Sequence, residues 1–133
     1  MLIFGHPYID SPNFIKINLL NDIKFTKNNS DIILLDGIEN NLELAKYLKT
    51  NSISYAVYIN SIKDAIFSNA LDANFAICKF DIAKELQNIA NEYLWDMKIL
   101  ALIDSDDMLE KVAKHSIDGV IYENFIKGGN NEN

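Results

Sequence analysis

The sequence predicts an α/β fold, in which a mostly parallel sheet of about five strands alternates with helices. Short segments that are apolar on both faces recur along the chain, as expected of strands covered by helices. Segments with apolar residues at helical spacing lie between them. Each return from a helix to a strand has an apolar anchor residue followed by a polar turn. The anchors are at residues 53, 71 and 117, with the Trp95 region between the last two, and a spacing of about 20 residues suits βα units. The pattern fits either an open three-layer sheet or a partial (β/α) barrel, since a closed eight-stranded barrel needs about 250 residues.

The first 31 residues are the least regular part, and we expect them to be irregular or to form a hairpin at the sheet edge, with membership of the main sheet as the alternative. Residues 2–4 and the alternating segment 14–17 are candidate short strands, and residues 22–25 fit a helical turn or a strand. Pro7, Pro12 and the run 28–30 indicate turns between them.

From residue 32 onward, strands and helices alternate regularly. Asn51 is placed to end the first helix, Ser61 and Asp64 form a capping-box pattern, Asp81 is placed to cap the longest helix, and Asp104 or Ser105 to cap the last. Strands are predicted at 32–35, 55–59, 75–78, 98–103 and 120–122, and helices at 38–48, 61–71, 81–96 and 105–113. Together these elements predict a single α/β domain over residues 1–127, followed by a disordered tail over 128–133 that has nothing to bury.

Composition excludes some classes of function. The chain has 133 residues and a net charge of −7, and all 12 of its basic residues are lysine. Nucleic-acid binding is not expected, because it depends on a basic face and on bidentate arginine. The N-terminal segment is not expected to be a signal peptide, and no apolar run approaches the length of a membrane span. The single cysteine, Cys78, lies in an apolar strand and should be a buried thiol, which fits a cytoplasmic protein.

Residues 72–125 resemble the last βαβαβ segment of (β/α) barrels in the glycerophosphodiester phosphodiesterase group. The resemblance lies in the strand 99–103, the acidic helix start 104–108, the segment 117–121 and the preceding helix 83–93. It implies a barrel-like architecture. It implies no catalytic residue here, because the His-Arg-Gly run and the Glu-x-Asp metal pair of such enzymes are absent from the N-terminal part of this sequence.

Candidate ligand residues follow the predicted strands, since ligands of parallel sheets bind beyond the carboxyl ends of the strands. A lysine, a histidine and carboxylates at one rim suit proton transfer or imine chemistry, although turn and N-cap roles explain several of them equally well. The candidates at this rim are His6, Asp36, Asn60, Lys79, Asp104 and Glu123.

No metal site or catalytic residue is predicted, and no cofactor is indicated. His6 with Asp10 lacks a third ligand, and the acids Asp104, Asp106 and Asp107 suit a first helical turn without a metal. His115 suits the end of a helix. The phosphate-binding glycine motifs and the serine-nucleophile motif are also missing.

The favoured function is therefore a non-catalytic protein-binding or self-associating module, with a homodimer as one form. Tyr93, Trp95 and Met97 cluster after the longest helix and would form a contact patch if exposed. The alternative is a small-molecule or metal binder, or an enzyme, that uses the strand-end rim, with Lys79 and Asp104 as its principal residues.

Overall fold

The computed structural model describes residues 1–18 and 31–128. The strands are β1 (Leu2–Phe4), β2 (Phe14–Lys16), β3 (Ile32–Asp36), β4 (Tyr55–Tyr58), β5 (Phe75–Cys78), β6 (Lys98–Ile103), β7 (Gly119–Tyr122) and β8 (Lys127–Gly128). The α-helices are α1 (Leu42–Thr50), α2 (Ile62–Ala70), α3 (Phe80–Glu92) and α4 (Leu109–Lys114). Short 3₁₀ turns cover Glu39–Asn41, Asp106–Met108 and Glu123–Phe125.

The sheet confirms the predicted α/β class and contains more strands than predicted. In the described part of the chain its order is β1-β7-β6-β5-β4-β3-β2-β8, and every pairing is parallel. The additional strands come mainly from the N-terminal segment. The N-terminal hairpin is wrong, and the alternative of strands in the main sheet is correct: β1 pairs with β7 at one edge and β2 pairs with β3 near the other.

The sheet is strongly curled. Strands β1 and β2 lie six steps apart in the sheet order, which in a flat sheet would be about 29 Å at 4.8 Å per step. Yet the rings of Phe4 in β1 and Phe14 in β2 are 5.1 Å apart, edge to face, and both also contact the ring of Phe75. The architecture is thus a half-barrel.

Two apolar clusters lie on the two faces of this curled sheet. The outer cluster holds buried apolar side chains from each of the four described helices, including Leu48, Ala65, Leu86 and Val112. The inner cluster is built only from strand residues and the segment after β7, among them Phe4, Phe14, Leu34, Ala56, Ile77, Leu100 and Ile121. Because the helices of residues 31–128 cover one face of the sheet, the partial barrel is the correct alternative and the three-layer sheet is wrong.

The turns from helix to strand repeat the same backbone geometry. After each helix comes a residue with φ near +60°: Ser52, Asp72, Leu94 and Ser116. The amide of the next residue then bonds to the carbonyl five residues back, as in a Schellman motif. These bonds join Ile53 to Leu48, Ala73 to Ser68, Trp95 to Ala90, and Ile117 to Val112. Leu71 packs against the outer cluster as an anchor should, but the residue equivalent to Ile53, Trp95 and Ile117 is Ala73, so the predicted position of the repeat at 71 is wrong.

Several predicted caps are confirmed and others are wrong. Ser61 accepts the amide of Asp64, and Asn51 follows the last residue of α1. The longest helix begins at Phe80 and ends at Glu92, so Lys79 holds the N-cap position and Asp81 lies in the first turn. The last helix begins with a 3₁₀ turn, and the Ser105 side chain before it makes no capping hydrogen bond.

Two further predictions concern Cys78 and the segments outside the described residues. Cys78 is buried as predicted. The predicted element at 22–25 lies outside the described residues, as does the predicted tail apart from Gly128, which ends β8.

The approach of the two sheet edges can be tested at Gly5. Gly5 and Gly37 share a positive φ, at +97° and +96°. A Cβ on Gly5 would lie 2.6 Å from the Cβ of Phe125, whereas a Cβ on Gly37 would meet nothing within 4 Å. Gly37→Ala should therefore lower the free energy of unfolding by about 1 kcal/mol through backbone strain alone. Gly5→Ala should lower it by about 3 kcal/mol, because overpacking adds to that strain.

Urea denaturation of both variants and of Gly5→Ala combined with Phe125→Ala measures the difference. The double variant should lose less stability than the two single substitutions do in sum, since the clash is removed. Equal losses for Gly5→Ala and Gly37→Ala would show that Phe125 does not pack against the end of β1.

Candidate functional site

A pocket opens on the inner face at the carboxyl ends of the strands. We call it the inner pocket. It has a volume of about 300 Å³ and is lined by Lys16, Leu34, Asp36, Tyr58, Leu102 and Ile126. The curl of the sheet creates it, because these residues come from β2, β3, β4, β6 and the segment before β8. Ligands of (β/α) barrels bind at this end of the sheet.

Strand alternation explains which side chains enter the inner pocket. In β2, Phe14 belongs to the inner cluster, so Lys16, two residues later, faces the same side. In β3, Leu34 belongs to the inner cluster, so Asp36, two residues later, faces the same side. In β4, Ala56 belongs to it, so Tyr58 does the same. Each polar group thus stands one step beyond an apolar inner residue, where the apolar interior meets solvent.

The polar groups of the inner pocket interact loosely with one another. The Nζ atom of Lys16 lies 3.8 Å from the Oδ2 atom of Asp36, beyond hydrogen-bonding distance, and the two side chains are 39% and 58% exposed. Tyr58 is half-buried, and burial raises the pKa of its phenol, with further contributions from Cys78, Asp36 and Glu123. The phenol therefore stays protonated near neutral pH and can donate a hydrogen bond.

A second polar cluster lies at the same rim, after β1, β6 and β7. The backbone amide of Tyr8 donates to Nδ1 of His6 at 3.0 Å, so the ring proton is on Nε2. That nitrogen lies 3.3 Å from Oδ2 of Asp106, while the hydroxyl of Tyr122 donates to Oδ1 of Asp106 at 2.6 Å. The hydrogen bonds from Tyr122 and His6 lower the pKa of Asp106.

This cluster fixes the start of the segment that leads from β1 to β2. The Asp106 hydrogen bond and charge add to desolvation in raising the pKa of Tyr122 to about 12. The rings of His6 and Tyr122 are 5.6 Å apart, and those of His6 and Tyr8 are 4.5 Å apart. Since each His6 nitrogen already has a partner, the cluster acts mainly as a tether across the rim.

The predicted rim residues are only partly brought together. Asp36 lines the inner pocket, Glu123 lies close enough to influence Tyr58, and His6 belongs to the tether. The exposed side chains of Asn60, Lys79 and Asp104 follow β4, β5 and β6 and do not line the inner pocket. His6 bonds to Asp106.

Sequence reasoning did not select Lys16, Tyr58 or Tyr122 as site residues. The alternation over residues 14–17 carried the signal for Lys16, but it could not show which side faces the interior. Among residues 1–18 and 31–128, no three His, Cys, Asp or Glu side chains are grouped to hold a metal ion. Nor does any helix within those ranges combine the length and apolarity needed to cross a membrane.

The predicted contact patch is partly present at the opposite end of the sheet. Tyr93 and Leu94 are 72% and 84% exposed, Trp95 is half-buried, and Met97 is buried. Ile66 and Phe67 of α2 are also exposed. A hollow of about 360 Å³ lies beside Tyr93, lined by Ile66, Asn69, Ala70, Ile89, Tyr93 and Trp95.

The tether makes stability depend on pH through Asp106. A carboxyl group with a lowered pKa in the folded state stabilises the fold above its unfolded pKa, and this contribution is lost as the pH falls through the folded pKa. We expect Asp106→Asn to lower the melting temperature at neutral pH. The difference from the wild type should shrink in acid, below pH 4.

Melting curves at several pH values between 3 and 7 measure this effect. Asp107→Asn is the matched control, because the neighbouring Asp107 is exposed and bonds to neither His6 nor Tyr122. A wild-type advantage over Asp106→Asn that stays constant across this range would contradict the assigned hydrogen bonds.

Comparison with known proteins gives no family for this chain: no protein-family model matches it, and neither does any curated protein. The resemblance of residues 72–125 to glycerophosphodiester phosphodiesterase barrels therefore stays a prediction.

Proposed function

We propose that this protein binds a small molecule in the inner pocket. The observation that carries the proposal is the convergence of Lys16, Asp36 and Tyr58 above apolar side chains at the carboxyl ends of parallel strands. Small-molecule sites typically combine an apolar lining with a few polar groups that orient the ligand. A volume of about 300 Å³ suits a compact metabolite.

Filling the inner pocket should abolish binding. Ile126 is half-buried in the lining and follows a 3₁₀ turn, so Ile126→Trp adds bulk with little disturbance of the sheet. NMR titration of the ¹⁵N-labelled protein with a library of small metabolites should yield ligands that shift the amides of Lys16, Asp36 and Tyr58. Their affinity for Ile126→Trp should fall at least tenfold.

The matched control is Ile66→Trp, which fills the hollow at the other end of the sheet. It should leave binding at the inner pocket unchanged. A library with no ligand for the wild type, or ligands lost in Ile66→Trp and kept in Ile126→Trp, would refute the proposal.

We propose self-association through the opposite end as a second function, favoured by Leu94. This side chain is 84% exposed and stands at a φ of +56°, a conformation unfavourable for a bulky residue. An exposed apolar side chain next to the hollow beside Tyr93 supplies both a projection and a cavity on one surface. A two-fold symmetric dimer requires a self-complementary surface of this kind, so the proposed occupant is a second copy of this chain.

Leu94→Gly separates the effect of Leu94 on backbone strain in the monomer from the contribution of its side chain to the dimer. Glycine removes the backbone strain, so the monomer should gain about 0.5–1 kcal/mol of stability. Loss of the side chain should weaken the dimer at least tenfold in sedimentation equilibrium at micromolar concentrations. Tyr8→Gly, a change at an 89% exposed residue on the other rim, is the control for association. A wild type that remains monomeric up to millimolar concentration would refute self-association.

A further inference from the structure

The charges around the inner pocket restrict the ligands it can take. Among the described side chains, Lys16 supplies a positive charge, Asp36 lines the pocket and Glu123 lies near Tyr58, so the carboxylates outnumber the ammonium group there. The whole chain carries a net charge of −7 and contains no arginine. A phosphate ester or another multiply charged anion would meet more negative than positive charge among these described side chains, which favours a ligand that is neutral overall or cationic.

The geometry of Lys16 and Asp36 restricts the ligand further. At 3.8 Å their charged atoms attract each other without a direct hydrogen bond, and both side chains are partly exposed. Each therefore keeps hydrogen-bonding capacity for a third group. Opposite charges this close can bind a ligand that carries its own carboxylate and ammonium on neighbouring atoms, because each ligand charge then meets its opposite.

The remaining lining describes the rest of the ligand. Leu34, Leu102 and Ile126 form an apolar surface beneath the charged pair. Burial of an aliphatic side chain against such a surface contributes about 1.5–3 kcal/mol in general. The protonated phenol of Tyr58 can donate a further hydrogen bond to a carboxylate oxygen.

We infer that the inner pocket binds a zwitterionic α-amino acid with an apolar side chain. The ligand carboxylate lies at Lys16, its ammonium at Asp36, and its side chain on Leu34, Leu102 and Ile126. This inference rests on the proposed small-molecule function and specifies the class of ligand for it.

A matched set of ligands tests the inference. L-leucine carries both charges, isopentylamine lacks the carboxylate, and 4-methylpentanoate lacks the ammonium, with the same branched end in all three. NMR titration of the wild type should show leucine binding at least tenfold more tightly than either analogue.

Two variants should remove the preference for leucine, one by deleting the partner of its carboxylate and the other by deleting the partner of its ammonium group. Lys16→Met should weaken leucine to the affinity of isopentylamine, and Asp36→Asn should weaken it to that of 4-methylpentanoate. Lys79→Met and Asp104→Asn are the controls, because these rim residues lie outside the lining and should leave all affinities unchanged.

The possible outcomes distinguish failure of the amino-acid inference from failure of the proposed small-molecule function. If isopentylamine or 4-methylpentanoate binds as tightly as leucine, or leucine binds Lys16→Met and Asp36→Asn undiminished, the zwitterion is overturned. If leucine, isoleucine, methionine and phenylalanine all fail while another library compound binds in a manner sensitive to Ile126→Trp, the inference falls and the small-molecule function stands. If no compound binds at all, both fall.

Discussion

The contact between the rings of Phe4 and Phe14 is the constraint on which the rest of the structure depends. It brings together strands that are six steps apart in the sheet, so the sheet must curl instead of lying flat. Curling gives the sheet an inner face filled by strand side chains and the segment after β7, and it leaves the outer face to the four described helices. Phe75 contacts both rings, and Phe125 packs against Gly5, so the two edges are held by side-chain packing. A hydrogen-bonded ladder between β1 and β8 is not part of the described sheet.

The inner pocket is a consequence of this curl. Lys16, Asp36 and Tyr58 lie on adjacent strands and would be neighbours in a flat sheet as well. Leu102 lies two strands beyond Tyr58, and Ile126 follows β7 on the other side of the half-barrel. Only curvature brings these apolar side chains across from the polar ones, which turns a row of polar groups into a cavity with an apolar wall.

Periodicity predicted the strands and helices well, because burial on both faces of a strand and on one face of a helix leaves a direct trace in the sequence. It could not predict the side on which each polar residue would lie. Lys16 and Lys79 both stand two residues after an inner apolar residue, yet Lys16 lines the pocket while Lys79 is exposed at the turn into α3. The difference arises because β2 continues through Lys16, whereas the chain leaves β5 after Cys78. Caps were harder still, since any polar residue near a helix start satisfies the pattern, as Asp81 did.

The repeated turns place the two proposed functions at opposite ends of the sheet. Each Schellman turn precedes the amino end of a strand, and three of the four residues with positive φ in these turns are polar: Ser52, Asp72 and Ser116. The corresponding residue of the third repeat is the apolar Leu94, and its neighbours Tyr93 and Trp95 line a largely apolar hollow. The inner pocket opens at the carboxyl ends of the strands, so the length of the strands separates it from these turns. A second copy docked at Leu94 would therefore leave the inner pocket open to its ligand, so each function can be lost by substitution without the other.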